Sequence, residues 1–231
     1  MLRFTAFALS LILVSVAVRA DGPAFTETFG EADADLQTTG TNPYFVLEPG
    51  YVLEYEGMEG AKKVRLVITV LDETKKVAGV RTRVVEEREW SGDALVEVSR
   101  NYFAISRRTN AVYYFGEDVE MYRGGKVVSH DGAWRAGRKN ARYGMIMPGS
   151  PLLGARYWQE IAPGVAMDRA EIVSLDRKLT TPAGKFENVL KIEETTPLEP
   201  GNKEYKYYAK GIGLIRDGAA KLVKYGKPEE K

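Results

Sequence analysis

The stretch Val64-Arg65-Leu66-Val67-Ile68-Thr69-Val70-Leu71 decides the fold class of this chain. Successive side chains of a β-strand point to opposite faces, so every second residue shares a face. The apolar residues at 64, 66, 68 and 70 therefore share one face, while Arg65 and Thr69 lie on the other. This alternation of β-branched and polar residues predicts a strand with one buried face.

Similar stretches of about ten β-favouring residues recur on both sides of this one, separated by Gly, Asn or Asp. We expect a turn at residues 72–76, a returning strand at 77–90 and a further turn at Ser91-Gly92-Asp93. Strands joined by such short turns must be antiparallel, because parallel neighbours need long crossovers. The sequence therefore predicts an all-β fold, an antiparallel meander that forms a curved sheet, a half-barrel or a barrel-like sandwich, with little helix.

The regular pattern lapses between residues 135 and 151, where we expect a long loop that contains Met145-Ile146-Met147-Pro148. Loops of this length often carry function. A second series of strands is predicted from residue 157 to residue 216, so that residues 43–225 form a single β domain. Residues 21–42 are expected to be a flexible lead-in, and residues 226–231 a frayed tail.

The first twenty residues resemble a secretory signal peptide. Arg3 precedes an apolar run at residues 6–18, and Val18-Arg19-Ala20 supplies a cleavage site after Ala20. The run is short for a membrane span, which needs about 20 residues; the alternative is an uncleaved N-terminal anchor. We expect a periplasmic or secreted protein with no integral membrane segment after cleavage. It is not lipid-anchored, because the chain has no cysteine to accept a lipid.

Composition excludes several classes of function. The absence of cysteine rules out disulfides, thiolate metal sites and cysteine nucleophiles. The 33 basic and 32 acidic residues are interleaved, so no surface for nucleic acid is indicated. His130 is the single histidine of the sequence, which excludes the two-histidine zinc motif and most transition-metal sites.

Several phrases of the sequence occur together in a known group of proteins. They are Asn42-Pro43-Tyr44-Phe45 with Pro49-Gly50, Tyr113-Tyr114-Phe115-Gly116-Glu117-Asp118, Gly132-Ala133-Trp134-Arg135-Ala136-Gly137, Pro182-Ala183-Gly184 with Phe186-Glu187-Asn188, and Lys206-Tyr207-Tyr208-Ala209 with Gly211-Ile212-Gly213-Leu214. In these phrases the chain resembles a family of uncharacterised secreted bacterial β-rich proteins. The closing phrase is also similar to extracytoplasmic proteins with the half-barrel of lipoprotein carriers. The resemblance implies compartment and fold class, and no catalytic set or ligand.

Oxygen and nitrogen ligands for a metal ion are sparse. Glu117 and Asp118 lie one predicted hairpin before His130 and Asp131. If that hairpin folds back, these four residues form a metal site of one histidine and several carboxylates. Calcium, which takes about six to eight oxygens, is the ion that such a site would hold. The alternative is a strand-end histidine bonded to a turn, surrounded by solvated carboxylates, with no cofactor.

Aromatic side chains are numerous, with 13 Tyr and 3 Trp. They indicate either a packed core or an aromatic cleft on a curved sheet that binds a small apolar or amphiphilic ligand. The residues predicted to line such a cleft are Tyr113, Phe115, Trp134, Met145, Met147, Trp158 and Tyr207.

Three functions follow from these patterns. The first is a non-catalytic binding or carrier module for a small apolar or amphiphilic ligand or an envelope protein. The second is a cell-envelope hydrolase that uses carboxylates near Glu117, Asp118 and Glu160, with or without a divalent ion. The third is a structural or interaction protein without a pocket.

Overall fold

The structure is a computed structural model that describes residues 24–228. In chain order its strands are β1 (Leu36–Gln37), β2 (Gly40–Asn42), β3 (Phe45–Leu47), β4 (Val52–Glu59), β5 (Lys62–Val77), β6 (Val80–Ser91), β7 (Ala94–Ser106), β8 (Val112–Arg123), β9 (Lys126–Ser129), β10 (Trp134–Arg135), β11 (Arg142–Met147), β12 (Arg156–Trp158), β13 (Glu160–Ile161), β14 (Arg169–Thr181), β15 (Gly184–Thr195), β16 (Glu204–Ala209), β17 (Gly213–Asp217) and β18 (Ala220–Gly226). A single 3₁₀ turn, Asp33–Asp35, precedes β1. The predicted all-β antiparallel fold with little helix is confirmed.

One large antiparallel sheet contains most of these strands. Its order is β12-β14-β15-β16-β17-β18-β4-β5-β6-β7-β8-β11-β13, with β1, β9 and β10 attached at its sides. Most neighbours in the sheet are also neighbours in sequence, as expected of a meander. Within the described residues, no helix has the length and hydropathy needed to cross a bilayer.

The sheet curves until its two ends nearly meet, which makes it barrel-shaped. The end strands β12 and β13 are consecutive in the chain and are joined by Gln159, so one segment pairs with β14 on one side and with β11 on the other. Gly144 of β11 faces this seam, and a Cβ atom there would lie only 2.4 Å from the backbone of Gln159. Glycine is thus required for β11 to approach the closing segment.

The β2–β3 hairpin covers one end of the barrel. Asn42 is fully buried there, and its amide Nδ2 donates to the carbonyls of Asn110 and Pro148, at 2.8 and 2.9 Å. The Phe45 ring packs edge-on against Phe103 of the barrel wall. Buried polar groups that are fully bonded in this way hold a covering element in one position.

The predicted lead-in at residues 21–42 contributes structure from residue 24 onward. Leu36 of β1 is buried and pairs with β7. The Ser106 hydroxyl donates to Glu31, and Phe29 packs on the ring of Tyr113. The predicted signal peptide, residues 1–20, and the last residues of the predicted tail, 229–231, lie outside the described residues.

Two predicted loops differ from the structure. Strand β5 continues through residues 72–76 to Val77, and the chain turns instead at Ala78 and Gly79, whose φ angles of 47° and 91° suit a tight hairpin. The methionine stretch expected as a loop is strand β11, which pairs with β8 through Met145 and Met147. The Met147 side chain is fully buried in the core, where an unbranched and flexible side chain adapts to its neighbours.

Candidate functional site

The inward face of the barrel carries carboxyl groups on neighbouring strands. On β6, Glu87 and Glu89 share the face of the buried Val85, and they pair with Ser99 and Glu97 of β7. The carboxyl-bearing residues of this face are Glu87, Glu89, Glu97, Glu117, Glu160, Asp168, Glu194 and Asp217. The interior is therefore acidic over much of its length.

Contacts across the barrel show that these groups point inward. Glu87 of β6 and Lys206 of β16 line the same cavity, together with Asp217 of β17. Strands β6 and β16 are separated in the sheet by β17, β18, β4 and β5. Side chains on such distant strands meet only through the interior.

Burial changes the acidity of these carboxyl groups. It raises the pKa of Glu87 to about 8, although the Lys206 ammonium opposes the shift. Burial likewise raises the pKa of Glu89 and of Glu117 to about 7. The pKa of Glu160 is raised well above its ordinary value by burial, and further by the charge of Asp168. Loss of hydration in the interior thus favours the neutral form of these carboxyl groups.

The ammonium of Lys206 is committed to carboxylates of this cluster. Its Nζ lies 2.9 Å from Glu194 Oε2 and 3.8 Å from Asp217 Oδ2. These two charges raise the pKa of Lys206 although burial opposes the rise. The other oxygen of Glu194 accepts a hydrogen bond of 2.7 Å from Gln159 Nε2 at the barrel seam.

Two cavities meet at Asp217. The first, of about 110 Å³, is mainly apolar and lies beneath the β2–β3 hairpin, with Phe45, Ile68 and Leu214 in its wall and Glu87 and Asp217 at its polar side. The second, of about 570 Å³, is more polar and lies toward the β17–β18 turn. We call the first the apolar chamber and the second the polar compartment.

Polar side chains line much of the polar compartment. They include Glu59, Arg65, Glu89, Lys203, Glu204, Arg216 and Asp217. The compartment thus mixes both signs of charge, whereas the boundary with the apolar chamber is formed by acids and the already paired Lys206.

The hydroxyl of Tyr157 is a buried polar group without a hydrogen-bond partner. Tyr157 is only 3% exposed and sits on β12, opposite Ala170, which in turn is opposite Glu194 on β15. Its ring is therefore on the inward face, and the charge of Glu194 adds to burial in raising its pKa. A buried hydroxyl left unpaired costs about 1–3 kcal/mol, so it is a feature to be explained.

The residues predicted to line an aromatic cleft do not surround one cavity. Tyr113 and Phe115 are buried on the outer face of β8, where both rings contact Tyr143. Trp158 lies outside against Phe25.

The remaining members of that set are equally dispersed. Met147 is fully buried in the core and Met145 is half-buried beside it on β11. Trp134 packs on Tyr114 and lines a separate cavity of about 210 Å³ with Glu117. Tyr207 borders the polar compartment.

The four residues predicted as metal ligands have separate surroundings. Glu117 is on the inward face, whereas Asp118 faces outward and bonds to the Tyr102 hydroxyl at 2.6 Å and to Arg135. His130 Nδ1 lies 2.6 Å from the carbonyl of Val119, and Asp131 is exposed. Among residues 24–228, no three His, Asp or Glu side chains form a group able to hold a metal ion. Glu160, the third carboxylate proposed for hydrolysis, does not line the cavity that Glu117 and Asp118 share.

Sequence reasoning missed Glu87, Glu89, Lys206 and Asp217. The alternation signal was present, because Glu87 and Glu89 fall in phase with Val85 on a strand with a buried face. Charged residues in a strand are ordinarily assigned to the solvent side, and the sequence does not reveal that this barrel has an acidic interior.

No protein-family model, no curated protein and no solved structure matches this chain. The resemblance to secreted bacterial proteins therefore stays a prediction.

Proposed function

We propose that this protein is a non-catalytic binding protein that holds a small amphiphilic ligand inside its barrel. The observation that carries the proposal is the junction at Asp217 between the apolar chamber of about 110 Å³ and the polar compartment of about 570 Å³. The apolar part of an amphiphilic ligand would fit the apolar chamber, and its polar end would fit the polar compartment. Ligand sites are typically concave and apolar with few polar groups.

The apolar chamber is suited to a short alkyl or aryl group. An apolar cavity of about 150 Å³ accepts a molecule such as benzene, and the chamber is of comparable size. Its wall includes Phe45 and Val46 of the covering hairpin and Ile146 of β11. Burial of an apolar group there is favourable by roughly 25 cal/mol for each Å² removed from water.

The signal peptide predicted at residues 1–20 adds the location to this proposal. The protein would act outside the cytoplasm, in the periplasm or the medium. A small ligand carried in the barrel would there be shielded from water.

The test is binding of hexan-1-ol, a neutral amphiphile, to the mature protein by calorimetry and saturation-transfer NMR. Ile68 lines the apolar chamber, so Ile68→Trp fills it and is expected to weaken hexan-1-ol binding about tenfold or more. The matched control is Val67→Trp, because Val67 lies on the opposite face of the same strand.

Circular dichroism spectra of both variants establish that the fold is retained. Equal affinity of the wild type, Ile68→Trp and Val67→Trp for hexan-1-ol would place binding outside the chamber and refute the proposal. Absence of binding to the wild type would refute it as well.

A further inference from the structure

The seam of the barrel is closed by a short strand pairing and a few single hydrogen bonds. Strand β13 joins β11 through two residue pairs. Beside β13, the Gln159 amide donates to the Asp168 carbonyl at 2.8 Å, and the Gln159 side chain donates to Glu194 at 2.7 Å. Segments with few hydrogen bonds open locally at a lower cost in free energy than the central strands of a sheet. The seam is therefore a place where this sheet can open without unfolding.

Carboxyl groups take part directly in the closure of the seam. Glu160 is only 5% exposed, and its Oε1 accepts a hydrogen bond of 3.2 Å from the Asp168 amide. Asp168 is thus bonded to the closing segment twice, through its amide to Glu160 and through its carbonyl to Gln159. Glu194, which accepts from the Gln159 side chain, is also buried. The bonds that close the barrel therefore depend on side chains that can change their charge.

The surroundings of Glu160 are acidic. The titratable or charged groups that face it are Asp168 ahead of β14, Glu194 on β15, Glu117 and Tyr114 on β8, and Lys206 of β16, which lies beyond Glu194. The ammonium of Lys206 is already bound by Glu194 at 2.9 Å and by Asp217 at 3.8 Å. An ionised Glu160 would therefore be a buried charge among other acids, which is strongly unfavourable.

Opening of the seam changes the proton affinity of Glu160. Burial raises the pKa of Glu160 well above its ordinary value of 4.5, and the charges of Asp168 and Glu194 add to the rise, while the hydrogen bond from the Asp168 amide opposes it. In an open seam, water hydrates the carboxyl group, and its pKa returns toward 4.5. The closed seam thus holds a proton that the open seam releases. Closure is strongest at acidic pH and weakens as the pH rises above 4.5 toward the raised pKa.

We propose that the seam of the barrel is a proton-controlled closure, in which the neutral carboxyl group of Glu160 holds residues 158–161 against β14 and β11 and loss of its proton releases them. The rest of the barrel stays folded, because β14 remains paired with β15 and β11 with β8. Release of the segment admits water to the acidic interior through the side of the barrel. This device belongs to the sheet itself and does not depend on the proposed ligand.

Native-state hydrogen exchange of the mature protein at pH 6, 7 and 8 tests the closure. The reporters are the amides of Gln159 and Asp168, whose bonds close the seam. Their protection factors, corrected for the pH dependence of exchange in an unstructured chain, are expected to fall about tenfold for each pH unit, since each opening releases one proton. Low concentrations of urea should leave this exchange unchanged, because local opening exposes little surface.

Glu160→Gln keeps the size of the side chain and removes its ionisation. This variant is expected to lose the fall in protection between pH 6 and pH 8. The matched control is Glu187→Gln, which removes an exposed carboxylate from β15 and should retain the fall. Circular dichroism spectra establish that both variants are folded.

The wild type alone can overturn the proposal, so the test stands even if Glu160→Gln fails to fold. Protection of Gln159 and Asp168 that is constant between pH 6 and pH 8 would refute it. So would a urea dependence of their exchange equal to that of global unfolding, because the seam would then open only when the whole protein unfolds. An equal fall in Glu160→Gln and Glu187→Gln would assign the proton to another group. None of these results depends on binding of hexan-1-ol, so the proposed function is tested separately.

Discussion

Replacement of Glu87 by glutamine is expected to stabilise the empty protein at alkaline pH and to leave its stability unchanged at acidic pH. Glutamine keeps the size and polarity of the side chain and removes its ionisation. Glu87 faces the barrel interior, where burial raises its pKa to about 8 from an ordinary value of 4.5. The charged or titratable groups that face it from the surrounding elements are Tyr55, Glu89, Glu117, Lys206 and Asp217.

The direction of this pH dependence follows from the proton affinities of Glu87 in the folded and unfolded states. The folded protein holds the Glu87 proton up to about pH 8, whereas the unfolded chain releases it near pH 4.5. Folding therefore binds a proton between these values, and stability decreases as pH rises through this window. A tenfold difference in proton affinity corresponds to about 1.4 kcal/mol. The shift of the Glu87 pKa from 4.5 to about 8 therefore lowers the free energy of unfolding at alkaline pH by at most about 5 kcal/mol.

The observable effect should be smaller than this bound. Glu87 borders a cavity and is partly reached by solvent, and a buried amide that lacks partners is itself unfavourable. We expect Glu87→Gln to raise the free energy of unfolding by about 2 kcal/mol at pH 9 and by less than about 0.5 kcal/mol at pH 4.

Urea denaturation of the wild type and the variant at pH 4, 6 and 9 measures this difference directly. The difference between the two proteins at each pH cancels the titration of all other groups, provided that the urea dependence is equal. Glu187→Gln serves as control, because Glu187 is exposed on β15. A Glu87→Gln variant that is less stable than the wild type at pH 9, or a difference that is the same at pH 4 and pH 9, would refute the assignment of Glu87 to a desolvating interior.

Two further predictions concern the barrel itself. Gly144→Ala should lower the free energy of unfolding, measured by urea denaturation, by about 2 kcal/mol or more, because the added methyl group overlaps the backbone of Gln159 at the seam. The control is Gly60→Asn in an exposed turn, and an equal loss of stability in both variants would contradict the role of the seam. Asn42→Ala should cost about 2–3 kcal/mol, because two loop carbonyls lose their donor. The exposed neighbour Thr41→Ala should cost less than about 0.5 kcal/mol, and a similar loss in both variants would show that the hairpin is not held by Asn42.

The fold class was predictable because the alternation is local. Residues 64–70 alternate in the sequence and pair along β5 with both β4 and β6, in the phase that buries Leu66 and Val70. The expected turn at residues 72–76 was wrong because polar residues also occur in the exposed half of a long strand. The true turn at Ala78-Gly79 carries a weaker signal, since alanine is rarely found at a positive φ angle.

The closure of the barrel was not predictable from local pattern. It depends on the short segment around Gln159, which pairs with β14 and β11, two strands far apart in the sheet order. The approach requires Gly144, and a glycine within a strand is equally typical of a bulge. Closure places the face of β6 that carries Glu87 inside the barrel, and burial there raises the pKa of Glu87 to about 8.

The buried carboxyl groups of the interior also affect the stability of the empty protein. A barrel filled by its own apolar side chains would avoid the desolvation of Glu87 and Glu160, and replacement of buried charges by apolar residues is often stabilising. Retention of these carboxyl groups therefore lowers the stability of the empty protein. The instability of the empty interior thus originates in carboxyl groups that lose their hydration on folding, so Glu87→Gln should make the empty protein more stable at alkaline pH.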